Sequence, residues 1–254
     1  MAVSYHPVVS YVRGGDAHAS DSGEGVDADG RGEALAEREL DAEGASPAAG
    51  RPSGNRLGYR FAKRGLDLLL AAAGLLVLGP LLAAVAVTVK VTSQGPIFFR
   101  QERVGQMGRP FRIVKFRTMT AGAAGPAVTR RGDPRITPLG VLLRRTKIDE
   151  LPQLYNVLVG HMSLVGPRPE VRKYVERFPA EYSRILTVRP GITDFAALEY
   201  RDEESLLAAS SSPEATYLET VLPAKLALYR RYLDERSLRT DLALIVRTLA
   251  ALFR

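Results

Sequence analysis

The 254-residue chain has no cysteine, and its only histidines are His6, His18 and His161. Without cysteine there can be no disulfide, no thiolate metal site and no cysteine nucleophile. Two of the histidines lie within the first 18 residues and none sits near another, which argues against a histidine-built zinc centre. No Walker-type loop and no GxGxxG fingerprint occurs, so the two commonest nucleotide cradles are disfavoured. The chain does not open with a basic stretch followed by an apolar run, so no secretory signal is expected at its start.

Acidic charge is scarce over most of the chain. Residues 1–55 carry ten acidic and four basic side chains, leaving 18 acidic and 31 basic ones for the remainder and an overall charge of +7. A field of that sign attracts nucleic acid, anionic headgroups or phosphorylated small molecules, without choosing among them. Aromatic residues are not interleaved with the basic stretches, as a single-strand nucleic-acid platform would require, so no nucleic-acid partner is expected. The segment 1–56 is rich in Gly, Ala, Ser, Asp and Glu and poor in large apolar residues. It cannot bury enough surface to offset its ordering entropy, and it is expected to be a disordered acidic tail with at most a short helix around Glu33–Glu43.

An uncharged apolar run of 22 residues extends from Leu68 to Val89. A bilayer needs roughly 20 residues of helix. Gly79–Pro80 interrupts this run, and proline removes a backbone hydrogen bond. Arg60, Lys63 and Arg64 precede the run while Lys90, Arg100 and Arg103 come after it. Basic residues favour the cytoplasmic side, so both ends are expected there. A helix over 57–92 that enters the membrane, breaks at Pro80 and returns satisfies both facts. A straight span and a buried helical hairpin of a soluble core are the alternatives.

Beyond Val91 the pattern becomes mixed. GPIFFRQERVG and RPFRIVKFRTM read as two short strands joined by a glycine-containing turn, with Phe111, Ile113, Lys115 and Arg117 on one face. ITPLGVLLRRTKIDELPQLYNVLVG reads as helix, turn, helix, with Pro152 at the start of the second helix. Most of 215–254 reads as helix. Its last part places Leu238, Leu242, Ile245, Leu249 and Leu252 at helical spacing, suited to packing or to lying on a membrane surface.

Candidate chemistry centres on Asp149–Glu150. An Asp-Glu pair alone is usually solvated charge or helix-start capping. Here RRTK comes just before it, and nearby cations are expected to hold both carboxylates ionised, as a nucleophile or metal ligand requires. Arg168, between Pro167 and Pro169, and Arg189, before Pro190, are displayed from stiff extended backbone, which suits a guanidinium that clamps phosphate. An incidental arginine in a rigid turn is the competing reading for each. Lys115, Arg117, Arg144, Arg145 and Lys147 add the positive charge that phosphoryl transfer needs.

Taken together, IDELPQLYNVLVGHMSLVGPRPE, FRIVKFRTM, FFRQERVG and RPGIT, downstream of KRGLDLLL and a proline-interrupted apolar stretch, resemble the bacterial sugar transferases. More narrowly, they resemble the small monotopic polyprenyl-phosphate phosphoglycosyl transferases, over about residues 57–254. The resemblance implies a helix-rich α/β fold. One re-entrant membrane helix with Pro80 at its break would carry a catalytic domain over 93–254, resting with amphipathic interfacial helices on the cytoplasmic face of the inner membrane. It also implies a magnesium ion, a UDP-sugar donor and a polyprenyl (undecaprenyl) phosphate acceptor. Asp149 would attack the donor phosphate and help hold the magnesium, and Glu150 would position or deprotonate the acceptor. Lys115, Arg117, Arg144, Arg168 and Arg189 would contact phosphates or headgroups, with Pro167 and Pro169 shaping the Pro-Arg-Pro element. Membrane lipids and downstream glycosyltransferases are the remaining partners implied. The chain departs from the family pattern in having Gly79–Pro80 rather than Ser-Pro, His161 in place of an acid, and DFAALEYRDEE after RPGIT. A catalytically silent lipid-binding adaptor of the same fold is the alternative function. A basic nucleic-acid-binding protein is a third, and it leaves the apolar run unexplained.

Overall fold

The computed structural model describes residues 56–126 and 128–252. The expected acidic tail and the short helix at 33–43 lie outside the described residues.

The first element is helix α1, Arg56–Thr92, 37 residues or about 55 Å if straight. Leucine, alanine and valine sustain it, and its helical hydrogen bonding continues through Gly79–Pro80. The expected break is therefore not a break in secondary structure. Proline withholds a single donor, and the turns on either side supply enough bonds to carry the helix past it. The helix is apolar and long enough to cross a membrane by length and composition, and only 6% of its most apolar window is buried within the chain. A buried core hairpin does not fit that exposure.

Both ends of α1 are nevertheless fastened to the rest of the chain. Near its start, Lys63 Nζ donates to Asp241 at 2.9 Å, and Arg64 donates to the Val157 and Leu158 carbonyls at 2.7 and 3.0 Å. Asp67 is buried and accepts from the Ser163 hydroxyl and the Leu164 amide, each at 3.1 Å. At the other end, Arg117 Nη2 donates to the Val89 and Ser93 carbonyls and the Ser93 hydroxyl, at 3.3, 2.8 and 2.7 Å. These carbonyls lie where a helix terminus leaves acceptors unmatched. Between the two ends, Leu76 and Val77 are bare.

Next comes an antiparallel hairpin of β1 (Phe98–Val104) and β2 (Pro110–Phe116), in register from Phe98↔Phe116 to Val104↔Pro110. A tight turn holding Met107 and Gly108 at positive φ joins them. Phe111 and Ile113 share one buried face as alternation requires, but Phe116 is buried on the opposite one, because α1 covers that side of the strand's end. Helix α2 (Pro138–Arg145) is capped by Thr137, whose hydroxyl accepts from the Gly140 amide at 3.0 Å. A 3-10 turn, Ile148–Glu150, leads into α3 (Gln153–Leu158), with Pro152 just before it. The Asn156 amide clamps α3 to β2, donating to the Arg112 carbonyl at 2.8 Å and accepting from the Val114 amide at 3.0 Å.

Strand β3 (Ser163–Val165) runs parallel to β4 (Gly191–Thr193), with α4 (Arg172–Val175) and α5 (Pro179–Ile185) between them. This pairing brings VGPRP and RPGIT together. The Gly166 amide donates to the Thr193 carbonyl and the Gly191 amide to the Pro167 carbonyl, both at 3.0 Å. A Cβ on Gly191 would stand 2.1 Å from the Gly166 nitrogen, so the backbones could not approach this closely with any other residue there.

The rest is helical: α6 (Phe195–Glu199), α7 (Glu203–Ala208), α8 (Pro213–Thr216), a π-turn at Tyr217–Val221, α9 (Leu222–Glu235) and α10 (Leu238–Leu252). The largest core packs Tyr182, Leu207, Leu222, Leu226 and Tyr229. In α10 the stripe read from the sequence divides. Leu238 and Ile245 are partly buried, while Leu242, Leu249 and Leu252 stay exposed, and the fully buried leucine is Leu244, outside that stripe. The architecture is thus helix-rich α/β, with two small two-stranded sheets among the described residues.

Candidate active site

Asp149 and Glu150 occupy the 3-10 turn between α2 and α3. Lys147, which leads into it, has φ 57° and ψ 14°, a left-handed conformation that costs a non-glycine residue energy. That reversal separates α2 from the turn, and Ile148 packs against Phe116, Leu143 and α1 as its apolar anchor.

The two carboxylates are treated differently. Glu150 is held by Lys115 Nζ at 2.9 Å and by both terminal nitrogens of Arg168, one of them at 3.0 Å. The charges of Arg168 and Lys115 outweigh its burial and keep its pKa well below the ordinary carboxylate range. Asp149 is 6% exposed, and its Oδ1 has no hydrogen-bond partner among the described residues. Burial, reinforced by the charge of Glu150, pushes it up to about 6 against the opposing Lys115, Arg144 and Lys147. Cations therefore outweigh burial at Glu150 but not at Asp149, which no cation among the described residues touches.

The predicted basic residues separate into two groups. Lys115 and Arg168 meet on Glu150. Arg168 is displayed as its flanking prolines suggest, and its backbone amide donates to Asp194 Oδ2 at 3.1 Å. Arg144 lies close enough for its charge to act on Asp149, yet its guanidinium is occupied by Glu204, with Nε at 3.0 Å, and by the Thr118 hydroxyl at 3.3 Å. Arg117 bonds to neither acid and instead caps α1. Its Nε and Nη1 are buried on the cavity wall with no hydrogen-bond partner among the described residues. Arg189 is not part of the cluster: its Nε donates to the Gly160 carbonyl at 2.9 Å, beside the α3 carbonyls that Arg64 takes. There the incidental-arginine reading fits, since a cation at a helix C-terminus satisfies free carbonyls.

A cavity of about 1540 Å³ runs past Asp149 and Glu150. One sector is apolar, between α1 (Leu70, Gly74, Leu78) and α10 (Ile245, Leu249, Leu252). The other is polar, with Arg168, Tyr200, Glu203, Glu204, Tyr217 and Lys225. Three acids around the site were not singled out from the sequence. Asp194 carries the Asp-before-helix signature of an N-cap, and its Oδ1 accepts from the Ala197 amide at 2.6 Å, but nothing in that signature points to Arg168. Glu203 and Glu204 read only as charge.

No group of three or more His, Asp or Glu side chains capable of holding a metal occurs among the described residues. Magnesium commonly keeps one or two carboxylates and takes its other ligands from water and substrate phosphate. The unpartnered Asp149 Oδ1 suits that arrangement.

The family model of bacterial sugar transferases matches residues 58–254. A Caulobacter vibrioides UDP-glucose:undecaprenyl-phosphate glucose-1-phosphate transferase is 38% identical over 209 residues, covering 80% of this chain and 74% of the relative. An Aeromonas hydrophila UDP-N-acetylgalactosamine-undecaprenyl-phosphate N-acetylgalactosaminephosphotransferase is 46% identical over 143 residues, 54% of this chain and 34% of the relative. The Escherichia coli UDP-glucose:undecaprenyl-phosphate glucose-1-phosphate transferase is 42% identical over 154 residues, 58% and 33% respectively. The chain thus spans about a third of the length of the latter two. With its motifs assembled around one cavity and its match running from the start of α1 to the C-terminus, the chain belongs to the bacterial sugar transferase family.

Proposed function

We propose that this protein transfers a sugar 1-phosphate from a UDP-sugar to undecaprenyl phosphate, opening the synthesis of an exopolysaccharide or another glycoconjugate. The observation that carries the reading is the contrast within one cavity: Asp149 has a free, buried oxygen, while its neighbour Glu150 is locked between Lys115 and Arg168.

In the first step an Asp149 carboxylate oxygen attacks the phosphorus bearing the sugar. The bond from that phosphorus to the UMP oxygen breaks, and UMP leaves with the electron pair. The sugar phosphate stays on Asp149 as an acyl phosphate. In the second step an oxygen of undecaprenyl phosphate attacks the same phosphorus and the acyl bond breaks, restoring the carboxylate and giving the polyprenyl-diphosphate sugar. Asp149 would hold a magnesium ion that takes its remaining ligands from water and substrate, and the ion would supply charge neutralisation at the diphosphate. Lys115 and Arg168 stabilise the charge spread over the transferring group.

Glu150 acts by position rather than as a strong base. Two cations already hold it as a carboxylate, which makes it a poor proton acceptor. A phosphate monoester loses its second proton near pH 6, so the acceptor needs little help at neutral pH. Glu150 fixes Lys115 and Arg168 in place until substrate phosphates share them.

The apolar cavity sector between α1 and α10 suits the polyprenyl chain, and the bare face of α1 suits lipid. Attachment of both α1 ends to one domain supports a re-entrant helix in the cytoplasmic membrane, with the catalytic domain on the cytoplasmic face. A helix leaving the bilayer on the far side could not keep both ends on one domain. The product would pass to downstream glycosyltransferases. Membranes carrying the protein, given a UDP-sugar, magnesium and undecaprenyl phosphate, should release UMP. An adaptor would release none, and Asp149→Asn would then behave as wild type.

A further inference from the structure

We infer that Glu203 and Lys225, which line the polar sector of the cavity together with Tyr200 and Tyr217, form the subsite that recognises hydroxyl groups of the donor's sugar. The inference rests on the transferase reading above and adds which residues select the sugar.

Lys225 is buried, 4% exposed, yet it comes from the first turn of α9, beside Leu222, Leu226 and Tyr229 of the main core. Its Nζ pairs with Glu203 Oε2 at 2.8 Å and lies 5.2 Å from the centre of the Tyr217 ring. Burying an ion pair brings little net stability, because the desolvation of both charges offsets their attraction. A chain that only needed packing here would do as well with apolar side chains. The pair also lines the cavity that holds Asp149, and the Glu203 charge reaches Arg168, the arginine that grips Glu150. The Tyr174 hydroxyl on the same wall is buried and has no hydrogen-bond partner among the described residues.

The chemistry matches a neutral polyol. The donor's phosphates have Lys115, Arg168 and magnesium to neutralise them, so what remains beyond the reacting phosphorus is an uncharged pyranose. A carboxylate and an ammonium side by side offer fixed acceptors and donors with no net charge, the pattern that hydroxyl groups need. The half-buried Tyr200 ring on the same wall offers apolar surface for the sugar's C–H groups. The sugar sits on the phosphorus that Asp149 attacks, whereas the nucleoside is one phosphate further away. The polar wall adjoining the acids is therefore the sugar's side.

The test couples protein and donor changes. UMP release is followed with the preferred UDP-sugar and with its 2-, 3-, 4- and 6-deoxy analogues, using wild type and Glu203→Gln. The expected result is that one analogue costs wild type about 10- to 100-fold in kcat/KM. Glu203→Gln should lose a similar factor on the full donor and little more on that analogue, while the other analogues behave alike in both proteins. If every analogue cost the variant and wild type the same factor, or if no analogue cost wild type more than about threefold, the subsite would be overturned. If Glu203→Gln failed to fold, Glu203→Asp would carry the comparison, since it keeps the charge and withdraws the carboxylate by one methylene. Failure of the transferase reading itself looks different: wild type would then release no UMP from any sugar nucleotide.

Discussion

Arg168 closes on Glu150 with both terminal nitrogens while its own backbone amide is held by Asp194. The clamp ties the Pro-Arg-Pro element, the Ile148–Glu150 turn and the cap of α6 into one unit. It also leaves Asp149 the freer of the two acids. Planar two-point contact is something lysine cannot supply. Arg168→Lys should keep the fold and lower kcat for UMP release by about a hundredfold, roughly the loss of one strong charge-stabilising donor. Steady-state kinetics alongside a thermal melt checks both halves.

Asp149 offers a stability test of opposite sign. Its folded-state pKa is raised from 3.8 to about 6, so its contribution to stability is fully present below the unfolded value and is lost as pH rises through about 6. At pH 7 the buried charge is a net cost. Asp149→Asn should therefore raise stability at pH 7 by on the order of 1–3 kcal/mol, or a few degrees in Tm. Near pH 4 the two proteins should melt almost together. Melts of the detergent-solubilised pair at both values decide it.

Arg189 and Arg168 both precede proline, and the structure gives them different work. Arg189→Ala removes a partner from the Gly160 carbonyl and should lower stability by about 1 kcal/mol. In the folded fraction kcat should stay within about threefold of wild type. Comparable losses of kcat in Arg189→Ala and Arg168→Ala would contradict this division.

Removing magnesium should abolish UMP release without altering the melt in the absence of donor. A metal that borrows most of its ligands from substrate adds little to the fold of the free protein. Chelation and then readdition of magnesium, with activity and Tm read in parallel, checks the point.

Gly191→Ala should not give a stable protein. The added methyl would meet the Gly166 nitrogen at 2.1 Å in backbone that cannot yield without opening the β3–β4 pairing. Expression and melting of Gly191→Ala beside Gly65→Ala, where a Cβ meets nothing within 4 Å, gives the comparison.

Much of this was legible in the sequence because its signals are local. The hairpin followed from strand alternation and a glycine turn, α2 and α3 from periodicity and Pro152, and the Ile148–Glu150 turn from a motif confined to a few residues. The course of α1 was less legible. Proline at position 80 suggested a break, but whether a helix survives one missing donor depends on the turns around it. The different states of Asp149 and Glu150 were illegible for another reason. Adjacent residues see the same nearby lysines and arginines in sequence, and only the folded chain shows that Lys115 and Arg168 both reach Glu150. Asp194, Glu203 and Lys225 stayed hidden because their partners lie 20 or more residues away.

The most direct test of a covalent route is the mass of the protein after incubation with UDP-sugar and magnesium in the absence of acceptor. One sugar phosphate should be found on the peptide containing Asp149, absent from Asp149→Asn and discharged when undecaprenyl phosphate is added. UMP release by wild type with no such adduct, or with the adduct on another residue, would contradict it.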